Sequence, residues 1–399
     1  MKKNYLKLLF ISAFSFIFLS NTVCLDLTDK VENLGNPFID IYESGEKIYA
    51  RNIWTLKAYQ GEIFIGGGNS SNEGPAQNSG PVPVFKYDPI KSQFIKEYVV
   101  SDEQIDIYYV FDKFLYIPGH DPKEDWFLGN LYQRDSKGSW EKYRNIPNAL
   151  HNYSMTYFNN LLFCGIKQTK GSAVAISDDF GKSWKVTNLN YPRIFSFVNL
   201  NDKLYIVTEA KVNARNPFFE FTSESQFYHR GDIFNETIFP GTTLNKEFGN
   251  KMIKPITFNN ILVYIGAHSH NDHQSIPFGV FVAESFEKNN IIVEKIQLPI
   301  GEVPWDIKQA DGKIYLLTGM KGTYRTKISV FQFDQNLKSI NKLFYFYSTT
   351  FARSFEILNN DFYFGLGCEV ENPKHWKEYE LVPETGQILR VGGTALNTP

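Results

Sequence analysis

The segment Ala-Tyr-Gln-Gly-Glu-Ile-Phe-Ile-Gly-Gly at residues 58–67 decides the fold, because it recurs in altered form along the whole chain. It consists of an apolar run, a two-residue polar turn and a second apolar run that usually ends at glycine. Six further copies begin at residues 110, 157, 199, 257, 309 and 357. The copies are about fifty residues apart and have the alternation and residue types of strands. This period is typical of an all-β propeller, and seven copies predict a seven-bladed β-propeller.

Each blade is expected to hold four antiparallel strands, and the propeller is expected to occupy residues 51–399. The last blade is expected to be complete in itself, with Tyr379 to Val382 and Ile388 to Val391 outermost. Residues 25–50 form an N-terminal segment in which Phe38 to Ile41 alternate and offer a possible ring-closing strand.

The amino terminus has the pattern of a signal peptide over residues 1–24. Three lysines precede the apolar stretch from Leu8 to Leu19, which is too short to span a bilayer. The sequence therefore predicts a secreted or periplasmic protein with no transmembrane segment. A lipid anchor at Cys24 is an alternative, which Val23 disfavours because a small residue is expected before such a cysteine. The net charge of −2 argues against nucleic acid as a partner.

The segment from Ser177 to Trp184 fits the pattern Ser-x-Asp-x-Gly-x-Ser-Trp between the third and fourth strands of blade 3. Asp135 to Trp140 is a partial copy in blade 2. The motif resembles the Asp-box, or BNR repeat, of sialidase-like propellers. In that family it is structural and lies away from the catalytic face, so the resemblance implies the fold rather than the activity. The Arg-Ile-Pro motif of those enzymes is missing from the first blade, and they have six blades.

Loop lengths indicate which face of the ring is functional. The turns between first and second strands are two-residue hairpins of Asn, Asp, Gly or Gln, which leave little room for a site. The connections from second to third strands are long, and they lie on the same face as the starts of the innermost strands. Six of the seven histidines fall on that face.

Candidate catalytic residues on that face are His120, Asp121 and His151. Two prolines and a glycine surround His120 and Asp121 and fix their backbone, so that Asp121 is placed to orient the adjacent His120 as a general base. The alternative is a rigid turn whose aspartate accepts loop amides.

Candidate ligand-binding residues are three arginines at the starts of innermost strands and two tryptophans near the same face, Arg51, Arg193, Arg353, Trp126 and Trp305. Guanidinium groups bind carboxylate, sulfate or phosphate, and indole rings stack on sugars. The alternative for the arginines is salt bridging between blades.

A candidate metal site lies in the segment 267–273, where His268, His270 and His273 could chelate a divalent metal. A solvated loop or a substrate contact is the alternative.

Together these features predict an exported propeller that binds, and in one hypothesis cleaves, a carbohydrate or small acidic glycan. The enzyme would be a glycoside hydrolase or polysaccharide lyase. The competing hypothesis is a noncatalytic platform for a protein partner.

Overall fold

The computed structural model describes residues 24–43, 45–70, 77–189, 193–211, 215–222, 226–244, 249–270, 274–287, 290–368 and 382–397. These residues form seven sheets arranged as the blades of a β-propeller. Each blade has four antiparallel strands, as the repeat predicted. None of the described helices is long and apolar enough to cross a membrane.

From the channel outward, blade 1 consists of Thr55–Tyr59, Glu62–Gly66, Val82–Asp88 and Gln93–Val100, and blade 2 of Tyr109–Phe111, Phe114–Pro118, Leu128–Arg134 and Trp140–Pro147. Blade 3 consists of His151–Phe158, Leu161–Lys167, Ser172–Ser177 and Lys185–Asn188. Blade 4 consists of Ser196–Leu200, Lys203–Val207, Arg215–Phe221 and Phe227–Phe234. Blade 5 consists of Gly249–Phe258, Ile261–His270, Gln274–Glu287 and Asn290–Ile296. Blade 6 consists of Val303–Ala310, Lys313–Lys321, Thr326–Phe333 and Ile340–Ser348. Blade 7 consists of Ala352–Leu358, Asp361–Leu366, Ile388–Val391 and Val31–Gly35. The described helices are short, Thr28–Lys30, Gly45–Arg51 and Gly393–Asn397 being 3-10 and Asn235–Ile238 being α.

Three blades carry additional short strands. Blade 3 continues inward through His120–Pro122 and Asp102–Gln104, so that its sheet has six strands. Ala210–Lys211 pairs with the innermost strand of blade 5, and Leu25–Asp26 pairs in parallel with the outermost strand of blade 6. The addition to blade 3 matters most, because it brings the second-to-third-strand loop of blade 2 and the connection between blades 1 and 2 to the inner edge of blade 3.

The amino-terminal segment closes the ring. Val31–Gly35 pairs antiparallel with Ile388–Val391, beginning with Val31 opposite Val391. The expectation that the last blade is complete in itself is therefore wrong, since its fourth strand comes from the other end of the chain. The segment expected to close the ring also differs: Phe38 to Ile41 form a turn, because Phe38 is fully buried in the core of blade 1. The expected strand at Tyr379 lies outside the described residues.

The two-residue hairpins adopt the conformation that their residues favour. Both central residues have positive φ in six of the seven first turns, with values such as 49° and 61° for Asn159 and Asn160. Asn, Asp and Gly tolerate this left-handed region, which type I′ turns require. The short-turn face is thus built as predicted.

Apolar contacts between neighbouring blades hold the ring together. Phe344 of blade 6 packs against Phe362 of blade 7, with ring centroids 5.2 Å apart. Tyr205 of blade 4 reaches Phe286 of blade 5 at 6.3 Å. A fully buried aromatic side chain contributes roughly 1.5–3 kcal/mol, so the 16% aromatic content supplies much of the stability. Cys164 and Cys368 are buried, and Sγ of Cys368 accepts a hydrogen bond from Nδ2 of Asn52 at 3.3 Å.

The turn from Ser177 to Trp184 links blades 2 and 3. Oδ1 of Asp179 accepts the amide hydrogen of Ser183 at 2.9 Å, and Gly181 supplies a φ of 96°. The Trp184 indole donates to Oδ1 of Asn145, in blade 2, at 3.1 Å. These bonds explain why serine, aspartate, glycine and tryptophan occupy their positions in the motif.

Candidate ligand-binding site at the channel mouth

A cavity of about 420 Å³ lies in the central channel on the side of the long loops. All seven blades line it, mostly through residues near the starts of their innermost strands, and it extends inward to Thr156, Asn199 and Thr257. Three basic side chains line it, Arg353, Lys251 and Lys254, against the single carboxylate of Asp106. The described walls are therefore net positive.

Arg353 is the most firmly positioned cation of the cavity. Its Nε donates to Oδ1 of Asn52 at 3.1 Å, and its Nη2 donates to the carbonyl oxygen of Cys368 at 3.1 Å. The guanidinium carbon lies 4.4 Å from the ring centroid of Trp54 and 5.7 Å from that of Trp305. Stacking and two hydrogen bonds fix the plane of this group before any ligand arrives.

Two further cations lie on aromatic rings across the cavity. Nζ of the buried Lys251 is 4.0 Å from the ring centroid of Phe195. The guanidinium carbon of Arg193 is 5.7 Å from the ring centroid of Tyr153, which itself lines the cavity. Cations and aromatic rings are therefore in contact at this cavity as well as at Arg353.

A network of charged side chains lies beside the cavity in blades 5 to 7. The buried carboxylate of Asp306 forms ion pairs with Nζ of Lys254 at 3.7 Å and with Nζ of Lys308 at 3.5 Å. Lys308 also lies 3.8 Å from Glu356. Burial opposes the charge of Lys308, but the two carboxylates outweigh it and raise the pKa of its ammonium group. Lys254 is thus held at the cavity wall by a buried partner.

His120, Asp121 and His151 come together at the edge of the cavity. His120 and His151 are opposite each other in the antiparallel pair that joins the short strand to blade 3. Nδ1 of His151 is 2.7 Å from Oδ1 of Asp121, and Nε2 of His120 is 3.8 Å from Oδ2. Burial lowers the pKa of His120, with smaller opposing effects from neighbouring charges.

Asp102 supports the strand that carries this cluster. It is 1% exposed and sits in the short strand that pairs with His120–Pro122. Asn130 donates to its Oδ2 at 2.9 Å, and the Tyr132 hydroxyl donates to the same oxygen. Burial outweighs these bonds and raises the pKa of Asp102 from its ordinary value of 3.8 to about 6.

The structure brings some of the predicted ligand-binding residues together and separates others. Arg353 and Trp305 line the cavity, and Arg193 stacks on a ring that does. Arg51 is 3% exposed, and its guanidinium donates to the backbone carbonyls of Tyr42 and Glu43. Arg51 therefore fixes the amino-terminal segment and does not line the cavity.

Trp126 is 67% exposed and lies outside the cavity lining, with the adjacent Phe127 at 75%. The predicted metal-ligating histidines are only partly within the described residues. Nδ1 of His268 contacts Oδ1 of Asn250 at 2.8 Å, and its ring packs on Phe278. His273 lies outside the described residues, and the side chain of His270 does as well.

Sequence reasoning missed several residues that line the cavity, chiefly Trp54, Tyr153, Phe195 and Lys251. All four lie at or near the start of an innermost strand, and Trp54, Tyr153 and Phe195 are within three positions of a residue that was considered. A search of these positions for aromatic and basic side chains, rather than for histidine and arginine alone, would have found them.

Comparisons with known proteins support the fold. No protein-family profile matches this sequence, and no curated protein matches it. The chain is similar to the solved WD40 domain of Neurospora crassa Pan2, with a TM-score of 0.53 and 9% identity over 92% of this chain and 97% of that one. It is similar to the hydrazine synthase of Kuenenia stuttgartiensis, with a TM-score of 0.52 and 10% identity over 80% and 93%. It is similar to the periplasmic gluconolactonase of Pseudomonas aeruginosa, with a TM-score of 0.50 and 11% identity over 73% and 84%. At these identities the likeness shows a propeller and nothing finer.

Proposed function

We propose that the channel-mouth cavity binds a small acidic carbohydrate or the acidic end of a glycan. The observation that carries the proposal is the prearranged Arg353, whose guanidinium is fixed by Trp54, Asn52 and a backbone carbonyl where it lines the cavity. A fixed guanidinium suits a carboxylate, a sulfate or a phosphate, since little side-chain entropy is lost on binding.

The aromatic rings favour a carbohydrate over an inorganic anion. Trp54, Trp305 and Phe195 line the same cavity as Arg353 and Lys251. A sugar ring offers apolar C–H faces to such rings and hydroxyl groups to the polar atoms between them. The volume of about 420 Å³ falls in the range of pockets that enclose small organic ligands.

Cleavage is a second candidate, favoured by the contact between Asp121 and His151. In this hypothesis Asp121 orients the His151 ring as a general base, and Arg353 stabilises a developing negative charge. Product analysis on any glycan that binds would separate cleavage from binding alone.

A protein-binding platform is a third candidate, favoured by one surface feature. Trp126, Phe127 and Leu128 are consecutive and exposed, at 67%, 75% and 37% of their surfaces. Consecutive exposed aromatic side chains are typical of contact sites for other proteins. Trp126→Ala should then abolish capture of a protein partner while leaving sugar binding intact.

Export is part of the proposal, supported by the lysines and apolar stretch of residues 1–24. Expression of the full chain in a bacterial host, followed by fractionation and amino-terminal sequencing, tests it. Cleavage near Cys24 and release from the cytoplasm are expected, whereas an intact, retained chain would contradict it.

The test of ligand binding is a glycan array followed by calorimetry with uronic acids, sialic acids and their neutral counterparts. We expect acidic sugars to bind and neutral ones to bind more weakly. Arg353→Gln removes a charge-assisted contact worth roughly 1.5–3 kcal/mol, which corresponds to a loss of roughly 10- to 150-fold in affinity.

Arg230→Gln is the matched control, because Arg230 pairs with Glu220 on the outer strands of blade 4. It removes the same charge far from the cavity and should leave the affinity unchanged. Failure of every sugar to bind, or equal weakening by both substitutions, would overturn the proposal.

A further inference from the structure

The cluster of His120, Asp121 and His151 has the composition and size of a metal site. Among the described residues it is the one group of three or more histidine, cysteine or acidic side chains whose donor atoms all lie within 4.8 Å of one another. Two imidazole nitrogens and one carboxylate oxygen are ligands that Zn²⁺ and other divalent transition metals accept.

The distances within the cluster suit an ion at its centre. Ligand atoms about 2.0–2.1 Å from a tetrahedral Zn²⁺ lie roughly 3.3 Å from one another. Oδ1 of Asp121 is 2.7 Å from Nδ1 of His151, and its Oδ2 is 3.8 Å from Nε2 of His120. One donor atom from each of the three residues lies within 4.8 Å of the other two, so the donors already surround a space of the size that one ion needs.

The bonding around His151 is a second and independent observation. Its Nδ1 is buried and has no directed hydrogen-bond partner among the described residues, although Oδ1 of Asp121 is only 2.7 Å away. A buried ring nitrogen that approaches a carboxylate without the direction of a hydrogen bond lacks the interaction that normally satisfies it. A cation between the two residues would satisfy the ring nitrogen.

The backbone that presents the cluster is fixed by buried contacts. The amide of Gly119 donates to the carbonyl of Asn130 at 2.9 Å, and the amide of Asn152 donates to the carbonyl of Gly119 at 3.1 Å. A Cβ atom at Gly119 would lie 2.7 Å from the same Asn130 oxygen, so only glycine fits there. The backbone next to each histidine, at Gly119 and at Asn152, is thus held in place without an ion, as a preformed site requires.

We propose that His120, Asp121 and His151 bind one divalent transition-metal ion at the edge of the channel-mouth cavity. Three protein ligands leave at least one coordination position open, and His120 lines the cavity. The open position is therefore available to a ligand in the cavity. This proposal does not depend on the identity of that ligand, and it replaces the general-base role of His151, because a metal-bound nitrogen cannot accept a proton.

The test is a titration of the chelator-treated, full-length protein with Zn²⁺ in competition with a chromophoric chelator, with metal content measured by mass spectrometry. Wild-type protein should bind one equivalent. Asp121→Asn and His151→Gln should each weaken Zn²⁺ binding by more than about 100-fold, which exceeds the usual effect of losing a supporting residue. Co²⁺ should give the visible absorption of a low-symmetry site in the wild type alone.

Two matched variants complete the experiment. His229 contacts Asp232 at 2.8 Å on an outer strand, so His229→Gln breaks a histidine–carboxylate pair outside the cluster and should leave Zn²⁺ binding unchanged. His268→Gln tests the other histidine segment and should also have no effect. Circular dichroism shows whether each variant is folded. If His151→Gln does not fold, the isosteric Asp121→Asn decides the result. Absence of binding by the wild type, or binding abolished by His268→Gln and not by Asp121→Asn, would overturn the proposal.

Discussion

The buried carboxyl group of Asp102 makes the stability of this propeller depend on pH in an unusual direction. Burial raises the pKa of Asp102 from 3.8 to about 6, so the folded protein holds this proton more tightly than the unfolded chain does. Stability from this group is complete below pH 3.8 and is lost as the pH rises to about 6. Asp102→Asn keeps the shape of the neutral side chain and removes the titration.

The magnitude follows from the interval between the two pKa values. At 1.36 kcal/mol per pH unit, the interval from 3.8 to about 6 amounts to about 3 kcal/mol. Asp102 of the unfolded chain is already more than half ionised at pH 4, so the free energy of unfolding of the wild type, measured relative to Asp102→Asn, should fall by about 2.5 kcal/mol between pH 4 and pH 7. The comparison with the variant cancels the titration of all other groups.

Urea unfolding of both proteins at half-unit pH steps measures this difference. Asp135→Asn is a control of opposite sign, because the backbone amide of Ser139 lowers the pKa of the exposed Asp135. That substitution should destabilise the protein at neutral pH and have less effect at acid pH. A difference between wild type and Asp102→Asn that stays constant within about 0.5 kcal/mol from pH 4 to pH 7 would refute the reasoning.

Three further predictions concern the framework. Cysteines at Val31 and Val391, which are opposite each other in the closing pair, should form a disulfide that raises the free energy of unfolding by up to about 6 kcal/mol; failure to crosslink under oxidising conditions would contradict this register. Gly181→Ala should lower the free energy of unfolding by about 1–3 kcal/mol in urea, because Gly181 has a φ of 96° and its turn has no room for a methyl group; an unchanged midpoint would show that the turn adapts. Arg134→Met should lower the free energy of unfolding by about 3–5 kcal/mol, because Arg134 is buried and donates to the Glu97 carboxylate through Nε and Nη2. The double variant Arg134→Met, Glu97→Gln should recover part of this loss.

The parts of the fold that the sequence predicts are those controlled by short-range chemistry. The hairpins at Asn159-Asn160 and its counterparts form where they were expected, because tolerance of positive φ belongs to the residue itself. The closing strand was misplaced for the opposite reason. Alternation at Phe38 to Ile41 reports that one side chain is buried, but not which strand, if any, lies beside it.

The candidate site also has parts that the local sequence predicts and parts that it does not. Loop lengths predict the long-loop face, and the rigid loop predicts that Asp121 orients the adjacent His120. In the structure Asp121 is 3.8 Å from His120 and 2.7 Å from His151, so its closest histidine partner is His151. That His151 is this partner depends on the short strand His120–Pro122 leaving blade 2 for the edge of blade 3, and no local pattern encodes this pairing. The position of Arg51 before an innermost strand led to the prediction that it binds a ligand. In the structure its guanidinium donates to nearby backbone carbonyls instead.

The pairing of Val31 with Val391 also governs the order in which the protein can be completed during its synthesis. A ribosome has translated nearly the entire chain before the partner of Val31–Gly35 exists, so the nascent protein is an open arc with an unpaired strand at each end. Joining ends about 360 residues apart carries a loop-closure penalty of about 5 kcal/mol if the chain between them is unfolded, and much less once six blades are in place. Until the ends join, the arc exposes two unpaired sheet edges, and such edges readily pair with other chains.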